Sequence, residues 1–199
     1  MVAKYSAGIT SVRLWFKEFK QCLELYHEGY TIVEIKQASD DENIFQFSST
    51  ARARRSSRNL TQRLAALPDD VVELFPALDI ENQKLVTLLS IMLLNQFVNE
   101  FMYEVYRDEL IMGDRTLEDR EANAFLMRKQ VENEQVAAWT EQTGKRVLGS
   151  VKGMLRETGL LERHGDVDRV NQAFVDRRLA ETLVQNNLSK ELAALQGRV

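Results

Sequence analysis

Apolar side chains recur along this chain mostly at helical spacing. Val12, Trp15, Phe16, Phe19, Leu23 and Tyr26 fall three and four residues apart, which predicts an amphipathic helix over residues 10 to 27 ending near Gly29. Thr31 stands three residues before Glu34, a capping box that opens a short helix over Ile32 to Ala38. Asp40, Asp41 and Glu42, followed by Ile44, Phe45 and Phe47, read as a connecting segment. Ser49 then caps a helix over Thr50 to Ala66 that Pro68 closes. A short helix over Asp69 to Phe75 leads to Pro76 and Asp79, so the boundary between two lobes is expected at residues 76 to 79.

Leu85 to Val98 is apolar nearly all round and is the predicted spine of the core, capped by Asp79 and continuing through Phe101, Met102, Val105 and Tyr106 until Gly113 stops the pattern. The run is shorter than the roughly 20 apolar residues that a membrane span needs. After it, Thr116 and Asp119 form a capping pair for a helix over Leu117 to Glu132, and a second helix runs from Val136 to Glu157, ended by Gly159. Weak alternation around His164, Gly165 and Asp166 predicts a small β-hairpin. Asp176 caps a helix through Val184, and a terminal helix starts near Ser189. The expected fold is mainly all-α: two closely packed helical lobes, residues 1–78 and 79–199, with helix-turn-helix or winged-helix character.

Composition narrows the chemistry. The 199 residues are 44% hydrophobic and 28% charged, as in a folded domain with one sizeable core. One cysteine and two histidines exclude an internal disulfide and an ordinary structural zinc site. No leader of basic, apolar and small residues opens the chain, and the expected compartment is the cytoplasm. Phosphate-loop, dinucleotide, nucleophile-elbow and zinc-protease motifs are all missing, so no enzyme and no cofactor is expected. Cys22 sits in the apolar periodicity of the first helix as a small core side chain. His27 and His164 read as surface or capping residues, and the aromatics Phe97, Phe101, Tyr103 and Tyr106 as core rather than a base-stacking platform.

Charge is distributed unevenly. Arg52, Arg54, Arg55, Arg58 and Arg63 lie in an acid-free window, residues 50 to 67, that carries +5 while the whole chain carries −4, leaving −9 on the remainder. Arg52, Arg55, Asn59 and Gln62 share one helical side, Arg54 and Arg58 flank it, and Ser56 and Ser57 keep the surface low. A short helix, a connection and then this helix is the arrangement of a helix-turn-helix, although the 11-residue connection from Ala38 to Thr50 is long for one. A solvated helix face is the alternative. A second basic face comprises Lys145, Lys152 and Arg156, with Arg146 beside it and Arg163 on the predicted hairpin as a phosphate contact. Gly149 and Gly153 on that face imply a close approach to the backbone, by a ligand or a neighbouring helix.

The segments YSAGITSVRLWFKEFKQCLELYHEG, LDIENQKLVTLLSIMLLNQFVNEFMYEVYRDEL and VAAWTEQTGKRVLGSVKGMLRETGLLE resemble the BrxA family of bacteriophage exclusion (BREX) defence systems. The resemblance spans nearly the whole chain in texture and includes no catalytic motif. It implies a non-enzymatic helical protein with helix-turn-helix character that binds double-stranded DNA beside the methyltransferase, ATPase and phosphatase-like BREX components; the short apolar run of residues 85–98 argues against a membrane partner. Two other readings stay open: an RNA-binding protein of the antitermination (NusB-like) type, and a protein adaptor within the BREX assembly. The basic positions above come from charge and spacing alone.

Overall fold

The computed structural model describes residues 4–112 and 115–198. It consists of helices and one small sheet. In the first half, α1 (Phe16–His27), α2 (Ile32–Glu42), α3 (Thr50–Ala66) and α4 (Asp69–Leu74) wrap one face of α5 (Ile80–Met92). In the second half, α6 (Gln96–Phe101), α7 (Arg107–Met112), α8 (Asp119–Glu132), α9 (Glu134–Ala137) and α10 (Glu141–Glu157) pack on the other face. The strands are β1 (Thr116–Leu117), β2 (Leu161–His164) and β3 (Val167–Val170), and α11 (Arg177–Gln185) and α12 (Ser189–Gln196) complete the chain.

The all-round hydrophobicity of α5 has a direct cause. Leu85, Leu88 and Met92 enter one core while Val86 and Leu89 enter the other, so α5 is the wall between them. The cores do not follow a cut at residue 78. Ile9 and Leu14 pack with the second half, and Leu179, Leu183 and Leu192 cross back onto the first.

The spine is not one helix. Leu93 and Leu94 form a turn, and Asn95 restarts the helix by accepting a hydrogen bond from the Val98 N–H on Oδ1. An asparagine side chain competes for backbone groups, which makes it a better cap than interior residue. The N-terminal segment uses the break: the Gln96 N–H donates to the Lys4 carbonyl and the Asn95 amide to the Ser6 carbonyl. Beyond α6 the helix continues through a π-helical stretch, Met102–Tyr106, into α7, and the predicted stop at Gly113 lies outside the described residues.

Other boundaries moved for local reasons. Residues 10 to 27 divide into a 3₁₀ turn, Ala7–Ser11, and α1, separated at Trp15, whose left-handed backbone (φ 48°) no helix accommodates. The capping box of Thr31 and Glu34 forms as expected, but α2 runs on to Glu42 because Lys36 pairs with Asp40 one turn away. The connection to α3 is therefore residues 43–49, shorter than the sequence spacing implied. Thr116 lies in β1 instead of capping a helix, and Glu118 and Glu121 form the capping box of α8. The predicted helix from Val136 to Glu157 breaks after Ala137, where Trp139 turns in against Phe97 and Thr140 caps α10. The hairpin is present with Gly165 at φ 58° in its turn, and β1 adds to it to give an antiparallel sheet in the order β1-β3-β2.

Candidate nucleic-acid interface

Helix α3 presents Arg52, Arg54, Arg55 and Arg58 to solvent. Its buried face is formed by Ala53, Ser56, Ser57, Leu60, Arg63 and Leu64. Ser56 and Ser57 are thus buried and not part of a low outer surface, and the Ser57 hydroxyl donates to Asp40 Oδ1 of α2 at 2.9 Å. Among the described residues no carboxylate lies within ion-pairing distance of the four exposed arginines. The first turn of α3 holds no acid, so Arg52 stands at the positive end of the helix dipole uncompensated, while Asp40 of α2 acts on Arg54 from across the helix pair. A cation in the first turn is unfavourable by a few tenths of a kcal/mol to about 1 kcal/mol, whereas an external anion is favoured.

Arg63 departs from the surface reading. It is fully buried, three residues after Leu60 and four before Leu67 on the core side of the helix. That spacing was the available signal. Its guanidinium donates to Ser90 Oγ at 3.0 Å, the Leu14 carbonyl at 2.9 Å and the Thr87 carbonyl at 3.0 Å, and lies over the Phe19 ring. It therefore braces the kink at Leu14 and Trp15 instead of reaching a ligand on the outer surface. Burial pushes its pKa down to about 9, against the opposing influence of Cys22 and Glu18.

The second basic set is brought together but neutralised. Lys145, Lys152 and Arg156 line a groove of about 240 Å³ with Asp119, Asn123 and Gly149. Lys152 is only 4% exposed and contacts Asp119 at 2.8 Å and Asp168 at 2.9 Å, so it too is withdrawn from the surface. Arg156 forms a two-pronged pair with the fully buried Asp168, at 2.7 and 2.8 Å, and Arg163 stands 3.8 Å from the same carboxylate. Burial works to raise the Asp168 pKa, but the bonds from Arg156 and Lys152 prevail and hold it below its usual 3.8. Lys145 pairs with Glu141 at 2.6 Å on the surface, and Arg146 is exposed without an ion pair among the described residues. Arg169, missed in the sequence, is exposed on β3 opposite Glu162, where the hairpin register would have revealed it. Nothing lies within 4 Å of a Cβ built at Gly149 or Gly153, which removes a close-packed neighbouring helix as the reason for either glycine.

Comparison with known proteins decides the family. The BrxA family model matches residues 3–187. The chain belongs to the BrxA family. A relative from Bacillus cereus (strain H3081.97), named BREX protein BrxA, is 32% identical over 158 residues, 79% of each protein. A crystal structure of an uncharacterized protein from Magnetospirillum magneticum shares the fold, with a TM-score of 0.81 over 97% of this chain and 98% of that one at 18% identity. No helix among the described residues is long and apolar enough to cross a membrane.

Proposed function

We propose that this BrxA-family chain is a non-enzymatic component of a BREX phage-defence system that binds double-stranded DNA in the cytoplasm through α3. The observation that carries the reading is the set of four exposed arginines, without an ion pair among the described residues, on a helix without acids. Duplex DNA supplies anionic phosphates at a spacing such a face can follow, and binding of this kind releases counterions. The order β1, α8, α9, α10 and then the β2–β3 hairpin is that of a winged helix, with α10 in the place of the recognition helix. Its paired cations make it the subsidiary surface.

The test is binding of the full chain to a labelled duplex across a salt series, beside a variant with Arg52, Arg55 and Arg58 changed to Glu. Four phosphate contacts give a slope of log K against log salt of about −3.6. The variant is expected to lose binding while keeping its melting temperature, because all three positions are exposed. Absence of binding at low salt would overturn the reading in favour of the adaptor role. Preference for RNA of matched length would replace it with the antitermination-like one.

A further inference from the structure

The two basic helices hold their arginines in opposite ways. Those exposed on α3 form no ion pair among the described residues and keep their full charge for a phosphate. Arg156 of α10 is tied down. Its Nε donates to Asp168 Oδ1 at 2.7 Å and its Nη2 to Asp168 Oδ2 at 2.8 Å, and that carboxylate is fully buried on β3. The pairing offsets the charge of Arg156, which weakens its pull on phosphate. It also fixes the plane and direction of the guanidinium, which a flexible surface arginine lacks.

The two bonds occupy one edge of the fork. Both N–H groups of Nη1 and one of Nη2 are left over, and among the described residues nothing accepts from them. The Arg156 side chain is 35% exposed and lines the groove between α8 and α10, so this second edge faces solvent there. A guanidinium held back against β3 projects little from the helix, and a ligand reaches it only over a low surface. Gly149 and Gly153, seven and three residues before Arg156 and so on its side of α10, supply one. Nothing stands within 4 Å of a Cβ built at either, so the backbone there is open to close approach. The exposed Asp119 carboxylate in the same groove repels phosphate and is compatible with the amino groups of base edges.

We propose that Arg156 reads guanine in the major groove of the duplex, its free Nη1–Nη2 edge donating to guanine O6 and N7 while Asp168 acts as the positioning residue. Guanine alone presents two acceptors side by side on its major-groove edge, the complement of two parallel N–H donors, whereas adenine presents one acceptor and one donor. Phosphate contacts hold a protein on the duplex and base contacts select the sequence. The inference rests on the duplex-binding reading and adds a division of labour: the uncompensated arginines of α3 hold the duplex, and the compensated arginine of α10 selects its sequence.

The test is selection of bound duplexes from a randomised pool by the full chain, followed by titration of the enriched duplex across a salt series. Guanine is expected at one or more enriched positions, with affinity falling about tenfold when it is replaced by adenine. Replacement by 7-deazaguanine, which lacks only the N7 acceptor, should cost about fivefold, the loss of one hydrogen bond. Arg156→Ala should lose the preference and leave the salt slope unchanged, whereas loss of a phosphate contact would take about 0.9 from the slope. Thermal melts check its folding, and Arg156→Lys, which keeps a cation on Asp168 without the fork, gives the same readout where the alanine variant does not fold. No guanine among the enriched positions, equal affinity for the 7-deazaguanine duplex, a preference that persists in a folded Arg156 variant, or a slope that falls with the substitution would each overturn the proposal and leave duplex binding by α3 standing. Absence of duplex binding at low salt would overturn both.

Discussion

Asp168→Asn separates the electrostatic from the packing role of the α10 groove. The substitution keeps the shape of a side chain that is fully buried and removes its negative charge from three cations: Arg156 at 2.7 Å, Lys152 at 2.9 Å and Arg163 at 3.8 Å. The cost falls unevenly. Arg156 and Arg163 are about a third and a half exposed and can turn to water, whereas Lys152, at 5% side-chain exposure, keeps only the exposed Asp119 as counter-ion. Breaking a buried pair by removing one partner costs roughly 3–5 kcal/mol, and the freedom of the two arginines places this case near the lower end, about 3 kcal/mol. For a chain of this length that lowers Tm by about 6–12 °C. The assay is urea unfolding at pH 5 to 8 with thermal melts alongside. Because the folded pKa of Asp168 is depressed, its stabilisation is fully present above its ordinary 3.8 and is lost as pH falls through the lower folded value. The difference between wild type and variant should therefore be constant from pH 8 to 5. A loss under about 1 kcal/mol, or a difference that titrates between pH 5 and 7, would refute the reasoning.

Gly149→Ala should raise stability by about 0.5–1 kcal/mol, since an added Cβ there meets nothing within 4 Å, and denaturant unfolding reads the gain. If duplex also approaches the α10 backbone at that glycine, the same variant should bind duplex more weakly, measurable in the salt series. The buried Cys22 thiol, pushed up to about 12 by desolvation, should not react with a disulfide reagent at pH 8 in the folded protein and should react fully in denaturant.

The sequence discloses most where one local signal decides the structure. The Thr31–Glu34 capping box, the Asp79 and Asp176 caps and the hairpin around Gly165 each depend on a few adjacent residues, and all are present. It misleads where tertiary contacts decide. Apolar periodicity runs unbroken through Leu93 and Leu94, yet the partner that makes a break worthwhile is the Lys4–Ser6 backbone, some ninety residues away. For the same reason the shared ownership of α5 by two cores, and the return of α11 to the first of them, are invisible in local pattern. At the candidate site the exposed arginines of α3 were readable from composition. The burial of Arg63 was readable from spacing alone, while the capture of Lys152 by Asp119 and Asp168 required contacts across 33 and 16 positions.

The two basic surfaces differ because of where the acids lie. From Asn43 to Pro68 the chain contains no Asp or Glu, so the nearest carboxylate shown to act on an α3 arginine is Asp40 of α2, which feels Arg54 without forming an ion pair. Lys145, Lys152 and Arg156 of α10 pair with Glu141, Asp119 and Asp168, and neutralising Lys152 or Arg156 also removes a structural contact. Loss of duplex binding in a Lys152 variant thus carries no functional meaning unless folding is shown to persist. Neutralising Arg52, Arg55 or Arg58 removes charge from exposed side chains that no acid holds, so any change in binding reports on the interface itself. The salt slope decides how the surfaces share the work. A slope that falls by about 0.9 for each α3 arginine changed to Ala assigns one phosphate to each, and the slope left when Arg52, Arg55 and Arg58 are all Ala measures what Arg54, Arg146 and Arg169 contribute.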